Sequence, residues 1–528
     1  MPSMAGGPDS ELGSFRTSWW QRVTNEPASY ELTRFVILRL LGLVYLFAFF
    51  SLARQLEPLI GSHGLVPAGQ FLAAKKGELG TGSYWRIPTL FWFTSSDAAM
   101  LGAAWLGVVL SLGVLVGVTS APLQFALWIL YSSLVHVGQI FYGYGWELQL
   151  LETGLLAVFL CPLRPRGPFP TAATPKIVIW LLRWLIFRVM LGAALIKLRN
   201  DSCWRDFTCL DYHFETQPNP GPLAWRLHHA PHFVHVAGVL FNYFVELVAP
   251  WFAFGRRRWR HAAGVCLVAL QVSLILSGNL SFLNWLTIVP ALACFDDTAF
   301  MRLVPARWRR PLAARIALAT PSRAQMRATQ ALAAIVALFS VAPVLNLLSC
   351  DQEMNGSFDP LAIVNTYGAF GSVDRARYEV ILEGTEELGP GADWREYELP
   401  CMPGSLRRRP CVVGPYQHRL DWQMWFVGNG AARGEAVENE PWLVHLIWQL
   451  LEGEALPKRL LARDPFPDAP PRRIRAGLWQ YRFSDSRADG AWWTRKRVGE
   501  FLPPLSLESA PLRDYVRAYA WPDGPADL

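Results

Sequence analysis

The sequence has few charged residues for its length. Asp, Glu, Lys and Arg make up 17% of its 528 residues, whereas soluble proteins usually carry about 25%. Hydrophobic residues make up 52% and include 24 tryptophans, a residue that concentrates at membrane interfaces. This shortage of charge excludes an ordinary soluble protein and predicts an α-helical protein that crosses a lipid bilayer several times.

Several kinds of sequence signature are also missing. The chain contains no P-loop, no dinucleotide-binding fingerprint and no RNA-binding motif. Its net charge of +7 comes from basic residues in short loops between apolar runs, which is the pattern of a membrane-topology signal. We therefore expect the lipid bilayer as a partner, and no nucleic acid.

Cysteine is scarce, and no secretion signal is evident. Eight cysteines in so long a chain do not make a disulfide-rich scaffold. Residues 1–30 are polar and lack an apolar core followed by a small-residue cleavage site, so we expect no cleaved signal peptide. The first apolar run should then insert as a helix and stay in the membrane.

Long apolar runs recur through the first two thirds of the chain. A helix needs about 20 mostly apolar residues to cross a bilayer, and this rule predicts a bundle of about nine spans. The predicted spans are Phe35–Ala53, Ala98–Val118, Leu123–Tyr142, Glu147–Leu163, Ile177–Ile196, Phe233–Phe254, Ala262–Leu276, Leu280–Phe295 and Thr329–Leu348. The seventh and eighth are short, so a re-entrant loop is the alternative to a hairpin there.

The distribution of basic residues predicts the orientation of the bundle, because cytoplasmic loops collect lysine and arginine. When the crossings are counted, the main basic runs fall on one side, which we expect to be cytoplasmic. These runs lie within residues 16–34, 164–176, 256–260 and 302–323. The long loops 54–97 and 197–232 carry fewer basic residues and should lie outside.

This orientation divides the chain into three predicted regions. Residues 1–34 form an N-terminal cytoplasmic segment, residues 35–348 a multi-span helical membrane domain, and residues 349–528 a β-rich domain on the outer face with a proline-rich tail. The outer domain should face the periplasm or a lumen. The composition is rich in arginine and alanine, as in GC-rich bacterial genomes. It favours a bacterial inner membrane, with the endoplasmic reticulum membrane as the location if the organism is a eukaryote.

Alternating polar and apolar residues predict strands in the outer domain. We expect strands at Arg377–Leu382 and Asp421–Val427, a helix at Trp442–Glu452, and a final strand near Leu478–Phe483 after an extended tail. Alternation along Asp421–Val427 would place Trp422, Met424 and Phe426 on one face, which we expect to be core. The alternative is that Trp422 and Trp425 belong to a surface that binds client proteins.

Two pairs of cysteines fall in the predicted outer compartment, which is oxidising. Cys203 with Cys209, and Cys401 with Cys411, are therefore candidate disulfides. Free thiols are the alternative for each pair.

Charged residues inside the spans are the sharpest anomalies, because an ionised group there costs roughly 3 kcal/mol or more unless it is paired. Depths estimated from the helical rise predict two buried ion pairs, Arg183 with Glu246 and Arg188 with Glu152. Either the pairs form a polar site within the bundle, or they only fix the register of the helices.

A further group of ionisable residues lies at the outer membrane boundary. Lys197 ends a span and is a candidate base if it is buried, although a lysine that extends its amine to the headgroups is the simpler interpretation. We predict no metal and no cofactor. His228, His232 and His235 are candidate metal ligands by their spacing alone. The intervening loop block contains Trp204, Arg205, Asp206, Asp211, His213 and Glu215, which favour hydrogen bonds that order the loop over catalysis.

Several long blocks of this chain, in order, resemble the lipase maturation factor family. They include CWRDFTCLDYHFETQPNP (Cys203–Pro220), FNYFVELVAPW (Phe241–Trp251), SGNLSFLNWLTIVPALACFDD (Ser277–Asp297) and NTYGAFGSV (Asn365–Val373). The resemblance covers most of residues 30–504. It implies a multi-pass membrane protein that helps secreted homodimeric lipases to fold and assemble in the endoplasmic reticulum. We therefore expect a chaperone-like factor whose partners are secreted client proteins, and no catalytic residues are implied.

A shorter stretch, GAALIKLRNDSCW (Gly192–Trp204), resembles the membrane core of the vitamin K-dependent γ-carboxylase and its bacterial relatives. That resemblance implies an alternative function as a membrane enzyme, with Lys197 as the base. A transporter is a third interpretation of the buried charges, but no inverted repeat supports it.

Overall fold

The computed structural model describes residues 28–164, 167–487 and 489–524. Most of the predicted N-terminal cytoplasmic segment, 1–34, lies outside these residues. In the described part of the chain, six helices are long and apolar enough to cross a membrane. They are Glu31–Ile60, Asp97–Val116, Lys176–Asn200, His232–Phe252, Arg257–Ser277 and Arg323–Leu348.

The predicted number of nine spans is not confirmed. Each of the nine predicted segments coincides with a helix, but three of these helices have only 17, 16 and 9 residues: Ala121–Val137, Gly145–Leu160 and Leu283–Ala291. At about 1.5 Å per residue they are shorter than the hydrocarbon core of a typical bilayer. The last of them packs against Arg257–Ser277.

The first part of the chain is helical throughout. Its helices are α1 Glu31–Ile60, α2 Ala68–Leu79, α3 Ser83–Arg86, α4 Asp97–Val116, α5 Ala121–Val137, α6 Gly145–Leu160, α7 Lys176–Asn200, α8 Ser202–Arg205, α9 Cys209–Thr216, α10 Pro222–His228, α11 His232–Tyr243, α12 Ala249–Phe252, α13 Arg257–Ser277, α14 Leu283–Ala291, α15 Asp297–Met301, α16 Ala306–Ala317, α17 Arg323–Phe339 and α18 Val341–Leu348. A π-helical turn, Phe244–Val248, joins α11 to α12. The predicted loop after Lys197 is thus built from three short helices, α8 to α10.

The bundle has two chemically distinct ends. At one end, which we call the loop end, α1 and α7 finish and the connections 61–96 and 201–231 emerge. At the opposite end, Asp297 accepts hydrogen bonds from the backbone N–H groups of Glu31 and Leu32, and Arg34 donates to the carbonyl of Ala172. These contacts satisfy donors at the start of α1 that its own helix cannot satisfy.

The C-terminal part is a mixed α/β unit with a small sheet. Its strands are β1 Arg377–Thr385, β2 Arg395–Glu396, β3 Arg473–Phe483 and β4 Trp493–Leu505, and its helices are α19 Arg419–Ala432, α20 Pro441–Glu452, α21 Ala455–Lys458 and α22 Ala510–Tyr519. The sheet has the order β2-β1-β3-β4, and all neighbours are antiparallel. The predicted strand at Arg377–Leu382 and helix at Trp442–Glu452 fall on β1 and α20.

Three details of the prediction for this unit are wrong. Asp421–Val427 belongs to helix α19 and not to a strand. Trp422 and Met424 are buried as expected, but Phe426 is 45% exposed. The strand at Leu478–Phe483 is not the last, because β4 and α22 follow it. The unit is therefore less β-rich than predicted.

The C-terminal unit packs against the loop end of the bundle. Gln55 of α1 donates to the carbonyl of Gln417, and Asn279, after α13, donates to the carbonyl of Cys411. His445 of α20 contacts the carbonyl of Leu65 through Nδ1. These contacts place the candidate residues of 197–246 between the bundle and the sheet.

Candidate functional site

The centre of the candidate site is a buried lysine. Lys197, near the end of α7, places its Nζ 2.6 and 2.8 Å from the two carboxylate oxygens of Glu246 and 3.1 Å from Oδ1 of Asn242. Its side chain is only about 5% exposed. The three N–H donors of the ammonium therefore each have an acceptor. The interpretation that Lys197 extends its amine to the lipid headgroups is wrong.

Glu246 reaches Lys197 because of an irregularity in its helix. It lies in the π-helical turn Phe244–Val248, between α11 and α12. A π turn inserts one residue and so shifts the face that the next side chains present, and such turns recur at functional sites. Asn242, one turn earlier, donates to the same carboxylate at 3.2 Å. The pair is thereby held between the end of α7 and the middle of the α11–α12 helix.

The short helices α8 and α9 cover this pair. Cys203 and Cys209 form a disulfide that closes this turn of the chain, and a second disulfide joins Cys401 to Cys411 in the C-terminal unit. The ring of Trp204 lies 5.0 Å from the Lys197 amine, and its Nε1 donates to the carbonyl of Phe370. The cover therefore shields the charge and joins it to the C-terminal unit.

The histidines do not form the predicted trio. His232 and His235, on the first turn of α11, both direct Nδ1 at Oδ1 of Asp211, at 3.0 and 2.6 Å. His228 instead lies 3.6 Å from Glu215. The two histidines on one helical turn converge, while His228 belongs to the preceding helix α10 and faces another way.

The remaining residues of the loop block mostly make structural contacts. Arg205 donates to the carbonyl of Leu198, and Asp206 is exposed. His213 packs edge-on against Phe370, and burial lowers the pKa of His213 to about 4. Glu215 accepts a 2.6 Å hydrogen bond from the backbone N–H of Phe483 in β3. This last contact ties α9 to the sheet.

The predicted ion pairs meet different outcomes in the structure. Arg188 of α7 contacts Glu152 of α6, and both side chains are 2% exposed. The prediction that Arg183 pairs with Glu246 is wrong, because Glu246 binds Lys197. Arg183 donates to the carbonyl of Ala293 and to the hydroxyl of Tyr30. Its guanidinium also lies over the Tyr30 and Trp180 rings. These cation–π contacts stabilise the positive charge although no carboxylate in the described part of the chain pairs with it.

The Arg188–Glu152 pair is also a docking point for the C-terminal part. Arg188 donates to the carbonyl of Asn365 at 2.7 Å, and Glu152 accepts from the Tyr367 hydroxyl at 2.8 Å. The approach is close because α7 has a glycine there: a Cβ on Gly192 would lie 2.3 Å from the carbonyl oxygen of Tyr367. The charges buried in the bundle thus receive their remaining hydrogen bonds from residues 365–367.

Two arginines of the C-terminal unit reach the membrane part in the same way, and neither was singled out from the sequence. Arg419 of α19 pairs with Glu147 of α6 at 2.9 Å, and both are fully buried. Arg377 of β1 pairs with Glu379 at 2.6 Å and donates to the carbonyls of Glu215, Gln217 and Pro218. Glu147 was a signal that could have revealed this contact, since an unpaired carboxylate at the end of a predicted span requires a cationic partner.

A surface ion pair completes the junction. Arg375 lies 2.8 Å from Asp201, at the end of α7, and its hydrogen bond lowers the pKa of Asp201 to about 2. The junction as a whole is a network of paired charges that fixes the C-terminal unit against the bundle. Chemically, such a network can hold a binding surface in one geometry.

Comparison with known proteins covers both parts of the chain. The model of the lipase maturation factor transmembrane domain matches residues 32–302, and that of the lipase maturation factor C-terminal domain matches residues 363–503. Lipase maturation factor 1 of Bos taurus is 44% identical over 98% of this chain and 97% of its own length, and that of Homo sapiens is 44% identical over 94% and 91%. Lipase maturation factor 2 of Homo sapiens is 30% identical over 93% of this chain and 85% of its own. No solved structure matches the chain.

Proposed function

This chain belongs to the lipase maturation factor family, and on that premise we propose that it is a multi-pass membrane protein that promotes the folding and assembly of exported lipases. The observation that carries the proposal is identity of 44% over nearly the whole length of proteins named for lipase maturation. Because the match includes both the helical and the C-terminal parts, it extends to the junction between them.

The clients are secreted lipases that become active as homodimers, and the C-terminal unit is the part that meets them. This unit lies at the loop end of the bundle, outside the helices that are long enough to span. Its two disulfide cysteines, Cys401 and Cys411, suit an oxidising compartment. The buried carboxylates of Glu147, Glu152 and Glu215 support a rigid platform, since each is contacted from the C-terminal unit.

The nine-span topology and its orientation belong to the same proposal. Counted together with the three short helices, the six long helices give nine crossings, which is an odd number. The N-terminus is then cytoplasmic and residues 349–528 face the export compartment. That compartment is the periplasm if the membrane is a bacterial inner membrane, and the lumen if it is the endoplasmic reticulum.

The enzymatic alternative, with Lys197 as a base, receives no support from the geometry. The amine of Lys197 already donates to Glu246 and Asn242, so its donors are directed at these acceptors. It would have to leave these three acceptors before it could take a proton from a substrate.

The test measures the activity per lipase molecule, not the amount of lipase. A homodimeric secreted lipase is co-expressed, with or without this chain, in cells that lack their own member of the family. We expect the same amount of lipase protein and several-fold higher activity per molecule when the chain is present. Equal activity per molecule in both cultures would refute the role in maturation.

A second arm of the test uses the native host. Deleting the gene should lower the activity of an exported hydrolase without lowering its abundance. Accumulation of a small lipid-soluble molecule, with all exported hydrolases unchanged, would favour the enzymatic alternative.

A further inference from the structure

The convergence of Asp211, His232 and His235 is the strongest feature that the proposed function does not use. Their nearest ligand atoms all lie within 4.8 Å of one another. His232 and His235 lie three residues apart on the first turn of α11, so both side chains leave the same face of the helix. Asp211 comes from α9 and meets them from the other side.

The hydrogen bonds of His235 determine what its Nδ1 presents. Its Nε2 lies 2.7 Å from the carbonyl oxygen of Leu227, and a carbonyl oxygen can only accept, so Nε2 carries the proton. In the neutral ring, Nδ1 then directs a lone pair at the Asp211 carboxylate, 2.6 Å away. Two acceptors face each other at this distance only when a positive charge lies between them.

The positive charge can be a proton or a metal ion, and three observations favour the metal. First, the Nδ1 atoms of two histidines, not of one, converge on the same carboxylate oxygen. Second, the Nε2–H of His235 donates to a backbone carbonyl, as the second ring nitrogen of metal-binding histidines usually does. Third, two imidazoles and a carboxylate form a ligand set that zinc uses in proteins.

We propose that Asp211, His232 and His235 bind one Zn²⁺ ion. Zinc bonds to imidazole nitrogen and carboxylate oxygen at 2.0–2.2 Å, which sets tetrahedral ligand atoms about 3.3 Å apart. The carboxylate oxygen and each Nδ1 atom, now 3.0 and 2.6 Å apart, then move apart by less than about 1 Å. The neighbouring Cys203–Cys209 disulfide indicates an oxidising compartment, where a redox-inert ion is favoured over Fe(II).

The exposure of the ligands indicates what the ion does. His235 is 4% exposed, whereas His232 is 60% exposed, so the fourth position opens to solvent and takes a water molecule or a side chain of another protein. The ion joins α9 to the start of α11. Since Glu215 of α9 binds β3, zinc would also tighten the contact of the bundle with the C-terminal unit.

The test measures zinc in the full chain, purified in detergent and dialysed against metal-free buffer. Wild type is compared with His232→Ala, Asp211→Asn and the control His229→Ala. His229 is an exposed neighbour that lies outside the cluster, and its Nδ1 contacts the carbonyl of Trp225. Each protein is titrated with ZnCl₂ against a chromophoric chelator, and bound metal is counted by mass spectrometry.

We expect one zinc ion per chain in wild type and His229→Ala, and affinity at least tenfold weaker in His232→Ala and Asp211→Asn. Because His232 is largely exposed, its variant should fold even if Asp211→Asn does not, and size-exclusion elution checks this. The same zinc affinity in all four proteins would show an adventitious ion and overturn the proposal. So would the absence of zinc binding by wild type, or a preference of wild type for Fe(II) in a parallel titration.

Discussion

At the scale of single residues, the Lys197–Glu246 pair is a buried contact at the centre of the candidate site. Removing one partner of a buried ion pair costs about 3–5 kcal/mol, because it leaves the other charge buried and unpaired. We therefore expect Lys197→Met and Glu246→Gln each to lower the free energy of unfolding by about 3 kcal/mol. The double variant should lose clearly less than the sum of the two. Thermal unfolding in detergent, followed by tryptophan fluorescence, measures all three.

Arg183 supplies the control for this cycle. It is buried in the same helix as Lys197, α7, but it lies nearer the start of that helix and binds Ala293 and Tyr30, not Glu246. Arg183→Met combined with Glu246→Gln should therefore be additive, since residues that share no contact usually are. The pairing of Lys197 with Glu246 would be wrong if the stability losses of the Lys197 and Glu246 variants were additive while those of the Arg183 and Glu246 variants were not.

This pair also shows what the sequence could establish about a single residue. Depth along a helix follows from counting residues, and Arg183 and Glu246 do lie at similar counted depths. Direction around the helix does not follow, because the π turn at 244–248 shifts the face on which Glu246 lies. A lysine stem is also long enough to bring its amine back from the membrane boundary. The ionisable residues were therefore predictable, and the partner of Glu246 was not.

Asp421 should make the stability of the protein depend on pH. It is fully buried, and burial raises its pKa to about 7, although backbone N–H groups of Cys401 and Met402 donate to it. The unfolded carboxyl has its usual pKa near 3.8. Between these values the folded protein holds a proton that the unfolded chain has lost, so stability falls as pH rises through this window and is constant above it.

The variant Asp421→Asn keeps the accepting oxygen and has no proton to lose. We expect its free energy of unfolding, relative to wild type, to rise by roughly 3 kcal/mol between about pH 5 and about pH 8. Denaturant unfolding at several pH values, monitored by tryptophan fluorescence, provides the measurement. Parallel pH profiles of the two proteins would mean that Asp421 titrates normally in the folded state.

At the scale of elements, the close contact between α7 and residues 365–367 depends on Gly192. An added Cβ would lie 2.3 Å from the Tyr367 carbonyl oxygen, which is backbone and cannot rotate away. Gly192→Ala should therefore push this segment off Arg188 and Glu152, at a cost of about 1–3 kcal/mol. The thermal midpoint measures this loss.

A matched glycine lies in another membrane helix. A Cβ on Gly102 of α4 would meet no atom within 4 Å, so Gly102→Ala should leave the midpoint unchanged or raise it slightly, because alanine favours a helix. If Gly102→Ala and Gly192→Ala lower the midpoint equally, the loss comes from the helices in general and not from the contact with Tyr367.

Elements were predicted best where length and periodicity agree. Six of the predicted spans fall on helices that are long enough and apolar enough to cross a bilayer, because a run of about 20 apolar residues has few other stable conformations. The segment 421–427 was misassigned because its alternation fits a strand. Leu420, Met424 and Val427 are all buried, and their i, i+4, i+7 spacing was the helical signal in the same residues.

At the scale of the whole molecule, the two parts of the chain share one polar junction. Glu147, Glu152 and Glu215 lie before residue 349, and each is contacted by a residue that follows it. A charge buried in an apolar bundle is tolerated only when it is paired. The C-terminal unit supplies the cation for Glu147 and further hydrogen bonds to Glu152 and Glu215. No local sequence pattern predicts these contacts, because they join residues that are more than 200 positions apart.

The C-terminal unit should lie on the side of the membrane opposite the basic loops, and one native residue can report this. Cys350 is an exposed free thiol at the start of the unit, whereas Cys161 and Cys294 are buried and Cys266 lies within α13. A membrane-impermeant maleimide added to intact spheroplasts should therefore label wild type and not Cys350→Ser. The matched variant Cys350→Ser/Arg310→Cys places the only exposed thiol on α16, among the basic residues, and should react only after the membrane is opened. Labelling of Arg310→Cys in closed spheroplasts, with Cys350 unreactive, would reverse the orientation. It would also rule out the proposed contact of residues 349–528 with exported lipases.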